Sequence, residues 1–168
     1  MNRLLAEIAE KKGIFAGVTS IAFYHFALCT KRLSKPNLEQ FFLAMAYSHE
    51  VRAKNSFKHA VPAPGLKEAL TLIDAALQNE VKEMYPKYIS MAGKKGDRGV
   101  LRALTWSSKA TMVLQSILKR LGKQKLEEQD YSTEKPWVCE ACGFVSVKKD
   151  APERCPVCYA PRHKFMAC

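Results

Sequence analysis

Four of the six cysteines form two Cys-x-x-Cys pairs, Cys139/Cys142 and Cys155/Cys158, with twelve residues between the pairs. Each such turn aims two sulfurs at a common centre, so the two together can close a tetrahedron of thiolates around one Fe or Zn. A tail of ~30 residues cannot fold on apolar burial alone, so the metal must contribute most of its folding free energy. Cysteines grouped in this way indicate metal ligation in a reducing compartment rather than a disulfide framework, which gives a cytoplasmic reading. Gly143, directly after the first pair, allows a backbone shape closed to other residues. Cys29 and Cys168 stand apart and are expected to be a small buried side chain and a terminal thiol.

Upstream of the tail the period is helical. Residues 2–12 read as a short amphipathic helix ended by Gly13, and 14–33 as a second, apolar, buried helix. Asn37, with Gln40 three residues on, suggests an N-cap, and the helix it opens should run to about His59, where Val-Pro-Ala-Pro-Gly (61–65) stops it. Leu66, Leu70, Ile73, Leu77, Val81 and Met84 mark a helix over 66–92, with Pro86 inside it as a kink. Asp97 is a candidate cap for the next helix, 98–121, which ends at Gly122. Long helices with short joins predict an antiparallel bundle over 1–122. Residues 123–136 are polar and read as a linker to a small metal module over 137–168. The fold class is therefore mainly α, a helical bundle followed by a module of short strands and knuckle turns.

The chain carries 27 Lys and Arg against 16 Asp and Glu. Most of the excess, +9, lies in the first 130 residues. Such a body could meet nucleic acid, an anionic membrane or an acidic protein, or could simply keep the chain soluble. The tail has no basic strip interleaved with aromatics, as single-strand binding would want, so nucleic acid is not the expected partner. The apolar run from Gly13 to Cys29 is short for a span of ~20 residues and contains Thr19, Ser20 and His25, so no membrane span is expected. Glu7 and Glu10 upstream, and the missing small-residue cleavage site, oppose a signal peptide.

Residues 137–165 resemble the rubredoxin domain that ends rubrerythrins: Trp137-x-Cys139-x-x-Cys142-Gly143-Phe144, then Ala151-Pro152-Glu153-x-Cys155-Pro156-x-Cys158, Pro161 and Phe165. Met84-Tyr85-Pro86 match a helix motif of the same family's ferritin-like bundle, and Asn37-Leu38 with Arg52 resemble its first helix. Lys31-Arg32-Leu33 resemble the end of its second, which implies a rearranged helix order. The resemblance implies one iron on Cys139, Cys142, Cys155 and Cys158 that shuttles one electron. It also implies a small aromatic core of Trp137, Phe144 and Phe165.

The family's di-iron site needs inward carboxylates and histidines with Glu-x-x-His on two helices. This chain has no Glu-x-x-His. Carried over by the resemblance, the ligand positions fall on Ser48, Leu77, Glu80, Thr111 and Leu114, with the remaining pair on Phe26 and Cys29, so only Glu80 could still bind. Among other polar residues, His25 reads as a core histidine, and His49, Glu50 and Glu83 as lying on solvated faces; His59 is a further candidate. A rearranged site of Glu50, Glu80 and His25 is the alternative to a bundle without metal. No catalytic residue is assigned and no di-iron centre is expected.

Three functions compete on this reading. One is an electron-transfer or docking protein with one rubredoxin-type iron held by four cysteines, whose partner is a redox protein with an acidic docking face. Another is a di-iron peroxidase of rubrerythrin type that reduces hydrogen peroxide. The third is a zinc-ribbon binding or structural subunit, with Zn in the same four-cysteine site. The sequence leaves open a homodimer or a place in a larger complex.

Overall fold

A computed structural model describes residues 3–60, 65–124 and 136–168. The chain divides into two compact units, Met1–Pro64 and Gly65–Cys168. The expected stop at 61–64 and most of the expected linker, 125–135, lie outside the described residues.

The first unit is a helical hairpin of α1 (Arg3–Arg32) and α2 (Pro36–Ala60). The expected break at Gly13 does not occur, because α1 runs straight through it. Gly13 serves packing instead: a Cβ there would lie 3.0 Å from the Phe57 ring and 3.3 Å from Ser56 Cβ on α2. The hairpin is stitched by small residues, with Ala16, Ser20, Ala27, Ala46 and Ala53 all buried. Ser20 Oγ donates to the carbonyl of Ala46 at 2.8 Å, which shows how closely the backbones approach.

Small residues at the seam displace large ones from it. The helix expected to be buried over 14–33 therefore leaves Phe15, Val18 and Ile21 more than three-fifths exposed. From Glu7 to Arg32 the helix is long and apolar enough to cross a membrane by length and composition. Phe23 stacks on Phe42 at 6.2 Å, and its other neighbours are Phe26 and His49.

Ser34, at φ 54°, turns the chain into α2, which opens on Pro36 rather than after an Asn37 cap. Proline suits that place, since the first N–H groups of a helix have no partner inside it. Two polar expectations also change here. His25 is exposed rather than in a core, and His49 is half-buried rather than solvated.

The second unit begins with one long helical stretch: α3 (Leu66–Asn79), a wide π-helical turn (Glu80–Met84) and α4 (Tyr85–Lys95). Pro86 has no N–H for the helix ladder, and the turn just before it widens to accommodate it. There the N–H of Tyr85 reaches back five residues to the carbonyl of Glu80. The stretch closes at Gly96, which is left-handed at φ 71°. Asp97 then caps α5 (Arg98–Leu121), its carboxylate accepting from Val100 N at 3.0 Å.

Three short strands follow: β1 (Trp137–Cys139), β2 (Val145–Ser146) and β3 (Phe165–Ala167). They form an antiparallel sheet in the order β2-β1-β3, with Val138 opposite Val145 on one side and Met166 on the other. Helix α5 serves this sheet as well as α3 and α4. Its Ala110 is buried in one cluster with Phe144, Val157 and Phe165, and Trp106 and Val113 pack against that cluster.

The two glycines of α1 give a direct comparison. Glycine in a helix interior costs roughly 0.5–1 kcal/mol relative to alanine, and nothing lies within 4 Å of the Cβ position at Gly17. Gly17→Ala should therefore raise stability by about that amount. Gly13→Ala should fall short of it, and Gly13→Leu should cost ~1–3 kcal/mol. Urea unfolding followed by helical circular dichroism checks the order; equal gains at both positions would show that the α1–α2 approach is not tight.

Candidate metal centre

The two knuckles that carry the cysteines are built alike. In the first, the carbonyl of Cys139 accepts from Cys142 N at 3.3 Å and Gly143 N at 2.8 Å. Gly143 takes φ 75°, the left-handed shape its sequence position suggests. In the second, the carbonyl of Cys155 accepts from Tyr159 N at 2.9 Å, and Tyr159 itself takes φ 62°. That a tyrosine fills this role was missed in the sequence, although it follows Cys158 as Gly143 follows Cys142. The two turns are clamped from outside, Cys139 N donating to Phe144 O and Cys155 N to Ala160 O.

All four sulfurs lie within 4.8 Å of one another. Cys139 Sγ is 3.7 Å from Cys158 Sγ, and Cys142 Sγ is 3.5 Å from Cys155 Sγ. A metal–sulfur bond of about 2.3 Å in a regular tetrahedron requires sulfurs ~3.8 Å apart, so this arrangement fits one tetrahedral ion. Cys139 and Cys155 are fully buried, whereas Cys142 and Cys158 are half-buried. Each knuckle thus hides its first sulfur and shows its second.

Burial pushes the Cys142 thiol well up, against the opposing effect of the Phe144 N–H. Burial likewise raises Cys158, partly offset by the N–H of Ala160. Cys155 goes the other way: burial raises it, but hydrogen bonds from the N–H groups of Cys158 and Val157 and from neighbouring thiols hold it below the usual value. Buried thiols resist ionising unless a cation or N–H dipoles compensate, and this site provides the dipoles in its own backbone.

Beside the sulfurs, Phe144 and Phe165 meet edge to face at 6.3 Å. Trp137 packs against them, and its Nε1 donates to Lys149 O at 3.3 Å. The aromatic core expected from the sequence is therefore present. Cys168 is exposed, as a terminal thiol should be. Cys29 departs from expectation, being half-buried with its Sγ 3.6 Å from His25 Nε2.

Residues 137–166 match the family described as rubrerythrin, rubredoxin-like domain. Rubrerythrin-2 of Clostridium acetobutylicum is 27% identical over 146 residues, covering 79% of this chain and 79% of that protein. A putative rubrerythrin of Methanocaldococcus jannaschii is 38% identical over 88 residues, 51% of this chain and 43% of its own. Among solved structures, nigerythrin in its mixed-valence state superimposes with a TM-score of 0.56 at 18% identity, covering 97% of this chain and 86% of that one. The C-terminal module is thus a rubrerythrin-type rubredoxin-like domain, and the chain as a whole is similar to rubrerythrins.

The mainly helical chain with its terminal strand module matches the nigerythrin fold. Within the second unit, two of the positions that the rubrerythrin resemblance assigns to iron ligands do meet. Thr111 Oγ1 lies 3.4 Å from Glu80 Oε2 and the same distance from Tyr85 Oη. Thr111 is buried, and Glu80 belongs to the π-helical turn before Pro86. The Thr111 hydroxyl thus stands between the Glu80 carboxylate and the Tyr85 hydroxyl. Only Pro86 signalled the wide turn in the sequence; Tyr85 entered as part of the Met84-Tyr85-Pro86 motif, without the contact to Thr111.

Of the other candidates, Glu83 is exposed as expected, and Glu50 is half-buried and paired with Lys54. The side chain of His59 lies outside the described residues.

Replacing one buried sulfur should separate the module from the helices. Cys155→Ser is expected to abolish tight metal binding and disorder the strands, because the tail has little else to hold it. The helical circular dichroism should persist, since α1–α2 and α3–α5 have apolar contacts of their own. Collapse of the helical signal in this variant would show that the metal module also holds up the helices.

Proposed function

We propose that this rubrerythrin relative is a one-electron carrier that holds a single iron on Cys139, Cys142, Cys155 and Cys158. On this reading it docks onto a redox protein with an acidic face, works in the cytoplasm, and its helices carry no di-iron centre. The observation that carries the reading is the contrast between the two candidate sites. One has four sulfurs at tetrahedral spacing; the other offers Glu80, facing the hydroxyl of Thr111, which in turn meets Tyr85 Oη. Threonine and leucine offer iron no useful ligand at the positions where the family has carboxylates and histidine.

One-electron transfer asks a protein for a ligand cage, modest exposure and a docking face. The half-buried Cys158 supplies the exposure, beside Tyr159, which is 73% exposed. The +9 charge of the first 130 residues supports an acidic partner, since opposite charges steer encounter. Such steering weakens as the Debye length falls from ~10 Å at 0.1 M salt to ~3 Å at 1 M.

Metal analysis of natively purified protein tests the reading. One iron per chain is expected, with a red oxidised form that bleaches on reduction and little peroxide turnover. Glu80→Gln should leave the stoichiometry at one. Two or three irons per chain, with peroxide reduction, would establish the peroxidase reading instead; one zinc and no colour would establish the zinc-ribbon reading. An acidic redox enzyme should co-purify at low salt and be lost at high salt, and association indifferent to salt would remove the basic surface as the docking face.

A further inference from the structure

Helix α5 does more than support the metal module, because a cleft of about 320 Å³ separates the two where they meet. One wall is the first knuckle, with Glu140, Cys142 and Gly143; the other is α5, with Arg102, Trp106 and Ser107. The Arg102 guanidinium sits over the Trp106 ring, 5.2 Å from its centroid. Trp106 in turn packs against the cluster that contains Cys139 and Cys155. The Arg102 cation and the half-buried Cys142 thus line one cleft, with the Trp106 ring against the cation.

We infer that Arg102, positioned by Trp106, biases the four-cysteine iron toward its ferrous state. The inference rests on the iron reading proposed above. Four thiolates around Fe³⁺ carry a net charge of −1, and the one electron accepted from a redox protein takes this to −2. A nearby cation attracts the second state more than the first, by one unit of charge, and the attraction is stronger where water is partly excluded. Glu140, on the same cleft, acts in the opposite sense. Because Arg102 is exposed on its outer side, salt weakens its effect.

Mediated redox titration of the purified iron protein tests this, and the midpoint is a readout that a packing role alone would not move in opposite directions. At low salt, Arg102→Gln should shift the ferrous-to-ferric ratio about threefold toward ferric, or roughly 30 mV at 59 mV per tenfold for one electron. Arg102→Lys should recover much of the shift, Glu140→Gln should move the midpoint the other way, and Trp106→Leu should lose part of the Arg102 effect. Lys119→Gln removes the same charge from the last turn of α5, outside the cleft, and should change little. A one-electron wave whose midpoint moves no further in Arg102→Gln than in Lys119→Gln overturns the inference and leaves the iron reading standing. A protein with no one-electron wave overturns both.

Discussion

Four sulfurs confined within 4.8 Å are the constraint on which the C-terminal module depends. As thiols they crowd a site that would rather hold apolar groups; as thiolates they repel. Only a bound cation reconciles the two, which is why metal binding and folding are one event in such modules. The remaining interactions are small by comparison. Phe144 and Phe165 give one edge-to-face contact, and the three strands are two or three residues long. Such a sheet is too short to stand alone. The N–H groups that face Cys155 and Cys158 exist because the knuckles are tight, and the knuckles are tight because Gly143 and Tyr159 accept left-handed backbone. Geometry, electrostatics and metal affinity thus come from the same few residues.

The second unit brings one carboxylate to the junction of its helices. Pro86 opens the π-helical turn, and that turn carries Glu80 toward Thr111 on α5. The carboxylate meets the Thr111 hydroxyl at the outer limit of hydrogen bonding, and Thr111 in turn meets Tyr85 Oη at the same distance. Leu77 and Leu114, two more of the positions that the resemblance assigns to ligands, are half-buried.

Legibility in the sequence followed the range of the interaction. The cysteine knuckles, the Asp97 cap and the ends of α5 were readable because each depends on residues within a few positions. Gly13 was misread as a helix end because glycine serves both to end helices and to let them touch. What decides between these roles is Phe57, more than forty positions away. The burial of residues 14–33 was misjudged for a related reason. Apolar composition does not say which residues meet the partner helix, and here the seam is Gly13, Ala16, Ser20 and Ala27 rather than the larger side chains. His25 and His49 exchanged their expected environments because the stacking of Phe23 on Phe42 sets which side of the hairpin is shielded. In the metal module the one missed position, Tyr159, was hidden by residue type, since tyrosine seldom adopts positive φ.

The two visible sulfurs of the metal site are not equivalent, and the difference bears on the proposed role as an electron carrier. Cys142 opens onto the cleft against α5, which Arg102 and Glu140 also line. Cys158 adjoins Tyr159, whose ring stands out from the second knuckle. A partner that docked over Cys142 would have to displace or share the Arg102–Trp106 pair, and would change the field at the metal as it bound. A partner that docked over Cys158 would meet an exposed aromatic side chain and leave that field intact. Separating the edge that tunes from the edge that exchanges lets the driving force stay constant through the encounter. On the proposed reading of one iron and one electron, this is the division of labour that four ligands in two knuckles can provide.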